Sequence, residues 1–110
     1  MESSLNSNLV KVVTFTVASG SAVNFKSLTG IGSLVGGSLE VQTTTSASTW
    51  KLLGTISHAP SEAVSVPCVR TGNGTFCGMV KIGTNKEIQL YSTQALSGNA
   101  IGFSFAYRTS

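Results

Sequence analysis

The chain has 110 residues, a formal charge of +3, 41% hydrophobic residues and only 10% charged ones, which sets one domain with a modest core that needs neither a metal nor several disulfides. Soluble domains usually carry about a quarter charged residues, so much of this surface must be Ser, Thr, Asn and Gly, a composition that favours burial against other subunits. The cations Lys11, Lys26, Lys51, Arg70, Lys81, Lys86 and Arg108 are scattered without a basic run, a poor footprint for nucleic acid, and no stretch approaches the roughly 20 apolar residues of a membrane helix.

The opening MESSLNSN has neither a basic start nor an apolar stretch, so the chain reads as soluble and without a secretory signal. Residues 1–7 are expected to form a flexible arm or a junction to a preceding stem, and 8–110 a single β-sandwich domain. From there apolar residues recur with a period near two, broken by Gly, Ser, Asn and Pro clusters about every ten residues. The pattern predicts strands at 8–17, 22–28, 34–45, 49–56, 63–71, 75–83, 87–93 and 99–108, and no helix. Eight antiparallel strands are a jelly-roll count. The alternation places Val13, Phe15, Val17, Leu39, Val41, Val80, Ile82, Ile88, Leu90, Ile101, Phe103 and Phe105 in the core. If each strand reverses the one before it, the loops near 18–21, 46–48, 72–74 and 94–98 meet at one tip, opposite both termini.

Catalysis is hard to build from these residues. There is one histidine, His58, no aspartate, and four glutamates, Glu2, Glu40, Glu62 and Glu87, far apart in sequence, whereas acid–base or nucleophilic chemistry needs a base within hydrogen-bond reach of its partner. A metal site lacks a second histidine and paired carboxylates, and no cofactor is expected. The glycines of GIGSLVGG precede a strand pattern rather than a helix, so they read as a turn and a closely approached strand instead of a nucleotide loop.

Cys68 and Cys77 flank the turn GNG. A two-residue loop at Gly72-Asn73 pairs residue 68 with 77 at a non-hydrogen-bonded position that can accept a disulfide, whereas a loop at Asn73-Gly74 separates them. In a bacterial cytoplasm both stay reduced, and free thiols are the favoured reading. The tripeptide Asn73-Gly74-Thr75 matches a glycosylation acceptor, but its role in the turn suffices to explain it. Trp50, Tyr91 and Tyr107 lie near strand ends, where rings can stack on sugars; packing within the sandwich is the favoured role.

From Trp50 onward WKLLGTI, Pro60, VSVPCV, GMVKI, EIQLYS, LSG at 96–98 and FSFAY follow one another. Over roughly these last 60 residues the chain resembles the C-terminal knob-like domains of bacteriophage tail fibres and receptor-binding baseplate proteins. It departs from them at Asn85-Lys86-Glu87, where relatives often have an Asn-Gly or Asp-Gly turn. The resemblance implies a homotrimer at the distal end of a fibre in the virion, made in the bacterial cytoplasm, joined to other tail or baseplate proteins and binding a host surface glycan or protein. With a stem at residues 1–7, the opposite tip nominates Asn73, Thr75, Gln94 and Asn99 as ligand-binding residues, with Tyr91 as a stacking ring. The alternatives are a purely structural trimerisation or capping domain, and a free-standing carbohydrate-binding module.

Overall fold

The computed structural model describes residues 10–109, so the arm expected at 1–7 lies outside the described residues. The described chain is all-β: β1 (Val10–Lys11), β2 (Phe15–Val17), β3 (Ala22–Ile31), β4 (Leu34–Thr45), β5 (Trp50–Ile56), β6 (Val64–Arg70), β7 (Thr75–Ile82), β8 (Glu87–Ser92) and β9 (Leu96–Arg108). All pairings are antiparallel, in one sheet of order β1-β3-β4-β9-β6-β7-β8-β5-β2.

Period-two alternation accounts for most of these strands. Along β9, Ile101, Phe103, Phe105 and Tyr107 are buried while Ser104, Ala106 and Arg108 are exposed. Ile88, Leu90 and Ser92 do the same in β8. The β4–β9 ladder runs from Leu34↔Arg108 to Thr45↔Leu96. Thirteen residues in β9, at about 3.3 Å each, account for most of the 52 Å length of a molecule only 24 Å across.

The inner face of the sheet is apolar and no helix among the described residues covers it, so the sheet curls until that face meets itself, as a half-barrel. Val35, Leu39 and Val41 of β4 and the β9 aromatics join Val80, Ile82, Ile88 and Leu90 from the other limb in one core. The limbs join at only two β6–β9 pairs, Val69↔Gly102 and Arg70↔Ile101. Pro67, two residues from Val69, has no N–H to donate, and pairing goes no further. Beyond it β6 and β9 part around an apolar groove of about 520 Å³ lined by Phe25, Val66, Pro67 and Phe103.

The structure corrects the expected strands in one place of consequence. Residues 8–17 do not make one strand; the described part splits into β1 and β2, which lie at opposite edges of the sheet. Residues 12–14 cross the open side of the curl between them. They are tied to the segment after β5: the His58 ring donates from Nε2 to the Val12 carbonyl at 3.0 Å, Thr14 N–H donates to Ser57 Oγ at 2.9 Å and Ser57 N–H to the Thr14 carbonyl at 2.9 Å. Tyr107 then donates its hydroxyl to the His58 carbonyl at 2.6 Å. The count is therefore nine strands rather than eight.

The hairpin register also differs from expectation. Arg70 pairs with Thr75 and Val69 with Phe76, but Cys68 pairs with Gly78, leaving Cys77 as an extra residue in a bulge. A side chain at Gly78 would collide with the Tyr91 carbonyl, so β8 lies against bare backbone there. The Cys77 carbonyl accepts from Thr93 N at 2.8 Å and from Thr93 Oγ1 at 3.1 Å. The connection between the paired ends is four residues, 71–74, not the two of a Gly72-Asn73 loop.

Two measurements test this closure. A Cβ at Gly54 would strike the Thr16 carbonyl oxygen and the Phe15 ring, so Gly54→Ala is expected to push β2 off β5 and cost about 1–3 kcal/mol in chemical denaturation. Burial pushes the Tyr107 phenol up from 10.0 to about 12. Below pH 10 it is neutral folded and unfolded; between pH 10 and 12 the unfolded chain ionises first, so stability falls as pH rises through that window. Tyr107→Phe is expected to lose about 1 kcal/mol at neutral pH with its hydrogen bond, and to show a shallower fall above pH 10 in urea titrations.

Candidate functional site

The curl gathers the loops at 18–21, 46–48, 71–74 and 93–95 at one end of the long axis, beside the start of β9. Ser48 N–H donates to the Ser92 carbonyl at 2.7 Å and Thr71 N–H to the Ala100 carbonyl at 3.2 Å. At the other end lie the first and last described strands: Val10 pairs with Ile31 and Thr109 N–H donates to the Ser33 carbonyl at 2.8 Å.

Between the 71–74 loop and the start of β9 an open cleft of about 400 Å³ is lined by Arg70, Thr71, Gly72, Asn73, Gly98, Asn99 and Ala100. Each wall is a turn held by its own side chains. Gly74, at φ +68°, turns the chain so that its N–H donates to the Arg70 carbonyl at 2.7 Å. Asn73 Oδ1 accepts from Thr75 N at 3.1 Å and from Thr75 Oγ1 at 2.7 Å. Opposite, Asn99 Oδ1 accepts from Ser97 N–H at 2.9 Å. Gly98, at φ +67°, sits in the β4–β9 bulge at Thr43/Thr44, its N–H donating to Thr44 Oγ1 at 2.9 Å and its carbonyl accepting from Gln42 Nε2 at 2.8 Å. A second cleft of about 370 Å³, lined by residues including Gly20, Ser21, Gln42 and Thr44, lies across Gly98.

This arrangement makes the first cleft rich in donors. Backbone N–H groups occupy both Asn Oδ1 atoms, which fixes the amide orientations and leaves the Nδ2 groups of Asn73 and Asn99 without a partner among the described residues. Arg70 is half-buried, with Nη1 donating to Gln94 Oε1 at 3.0 Å. The carboxylates of Glu40 and Glu87 are engaged elsewhere, by Asn24 and Asn85. A cleft that offers amide N–H groups and a guanidinium suits ligand oxygens, from hydroxyls to carboxylates.

The nominated residues therefore divide. Asn73 and Asn99 face each other across the cleft, Thr75 braces Asn73, and Gln94 holds Arg70 from behind. Tyr91 lines no part of the cleft. It lies on the outer face of β8, its ring 5.2 Å from that of Trp50 at an interplanar angle of 60°. Trp50 is 53% exposed, so it does not pack within the sheet as expected, whereas Tyr107 does, at 6%. Pro67, Met79, Tyr91 and Trp50 are register partners across β6, β7, β8 and β5, an apolar row on the outer surface. Arg70 and Thr71 escaped sequence reasoning, although their place just before GNG marks them as the root of the turn.

Among the described residues no three His, Cys, Asp or Glu side chains come together to hold a metal ion, and the His58 ring is tied to Val12. No protein-family model and no curated protein matches the chain.

The cleft depends on its Gly98 corner. With φ at +67° an alanine there is strained by about 1–2 kcal/mol, so Gly98→Ala is expected to lower the melting temperature by several degrees and to raise amide exchange at Ser97 and Asn99 before it affects the β4–β9 centre, as hydrogen-exchange measurements would register.

Proposed function

We propose that this chain is a non-enzymatic receptor-binding head of a phage tail fibre or baseplate, and that the Arg70–Asn73–Asn99 cleft takes an oxygen-rich group of the host surface, a saccharide before a protein. One observation carries the reading: the donor-rich cleft lies at the end of a 52 Å axis opposite the end where the first and last described residues meet. A stem joined at Val10 leaves the cleft facing outward. The resemblance in the segment from Trp50 onward supports the same reading. In it the two limbs of the curl serve as the layers of a jelly-roll-like sandwich, and three copies assemble as a homotrimer in the virion, so that individually weak sites act together.

A second reading rests on the exposed Trp50 ring set edge-on to Tyr91: a free-standing carbohydrate-binding module that stacks a sugar on this platform and works as a monomer.

Host-cell adsorption and glycan-array binding distinguish the two, together with solution mass by light scattering. Arg70→Gln and the double variant Asn73→Ala/Asn99→Ala are expected to lower binding about tenfold or more, the loss of one or two ligand hydrogen bonds. Trp50→Ala is expected to leave binding unchanged, and the mass to be near three times 11.3 kDa. Binding lost only in Trp50→Ala, from a monomer, overturns the cleft in favour of the platform. Adsorption unchanged in all three variants assigns the head a structural capping role.

A further inference from the structure

Cys68 and Cys77 are both fully buried, and their Sγ atoms lie 3.4 Å apart on the inner side of the β6–β7 hairpin. Nothing in the proposed receptor site uses them. A disulfide needs sulfurs about 2.05 Å apart, so an approach of about 1.4 Å suffices. Cys77 is the unpaired residue of the bulge, held through its carbonyl by Thr93 but not by the regular ladder to β6, so its side chain can shift toward Cys68 without breaking a β6–β7 pair. We infer that Cys68 and Cys77 are a paired modification site, closing an intramolecular disulfide across the root of the 71–74 loop when the protein meets a small-molecule disulfide as oxidant.

The reaction balances as two exchanges. The thiolate of one cysteine attacks the small disulfide, forming a mixed disulfide and releasing one small thiol. The thiolate of the other attacks the protein sulfur of that mixed disulfide, closing the Cys68–Cys77 bond and releasing the second small thiol. The two protons end on the released thiols, and two electrons pass from the cysteines to the oxidant.

Burial, reinforced by the hydrogen bond and the charge of Cys77, pushes the Cys68 thiol well up from its ordinary 9.0. The closed protein therefore holds little thiolate and reacts slowly. The bond forms during folding or when the hairpin opens locally, and once formed it is shielded from reductants. It encloses residues 69–76, and so the whole 71–74 loop, and removes freedom from the unfolded chain.

The test uses the unaltered protein, refolded either with a mixture of oxidised and reduced glutathione or with reductant alone. The oxidised sample is expected to lose about 2 Da in intact mass, to titrate no thiol in denaturant where the reduced sample titrates both, and to keep the same solution mass. Its melting temperature is expected to rise by roughly 5–15 °C. Two titratable thiols after oxidative refolding, or a disulfide joining separate chains, overturns the inference. Cys68→Ala/Cys77→Ala serves as the control, its melting temperature expected to be indifferent to the redox buffer; the mass and thiol titration of the unaltered protein decide the matter whether or not that variant folds.

Discussion

A sheet that is apolar on one face and has no helix beside it can bury that face only against itself. Most of the architecture here follows from that constraint. Nine strands in one order curl until the aromatics of β9 lie against the aliphatic residues of β7 and β8. The two limbs share only the two β6–β9 pairs beside Pro67, a residue without an N–H to extend that ladder. The open side is then crossed by residues 12–14, whose polar backbone groups are satisfied by Ser57 and His58. The single histidine is thereby a fastener of the closure.

The same constraint positions the cleft. With β4 and β9 paired along their full length, Leu96 carries the core to the end of the ladder, and past it the walls of the cleft are held by side-chain hydrogen bonds. Asn73 and Asn99 each spend the side-chain oxygen on an internal contact, with Thr75 and Ser97, while Arg70 spends one N–H donor on Gln94. The Nδ2 groups of the two asparagines are left without a partner among the described residues. Of the charged residues, only Arg70 lines that cleft.

Much of this is legible in the residues. Strict alternation in 34–45 and 99–108 locates β4 and β9, with β9 starting three residues earlier than expected, at Leu96. Counting reversals is enough to bring the four tip loops together. What is not legible are the points where alternation continues while pairing changes. NLVKVVTFTV keeps its period through 12–14, yet β1 and β2 pair at opposite edges, because a period of two says which face a residue takes and nothing about which neighbour it has. Bulges hide for the same reason. Leu53 lies inside and Trp50 outside because the ladder slips between Leu52 and Gly54, a slip that no composition rule marks. Asn73 follows from its turn and Asn99 from the start of the last strand, whereas Tyr91, nominated by its nearness to a strand end, belongs to the outer face.

Of the four bulges in the described sheet, those at Val23/Phe25 and Leu52/Gly54 lie away from the cleft walls and two sit beside them. The irregularities at Thr43/Thr44 and at Cys68/Val69 flank the cleft, whereas the β4–β9 ladder from Leu34 to Thr43 runs without one. A bulge leaves one residue out of the ladder and bends its strand, which frees backbone and side-chain groups beside the cleft but weakens the strand end that carries them. The uninterrupted ladder and the core beneath it hold the fold independently of these ends. The loop end can therefore open locally without unzipping the spine.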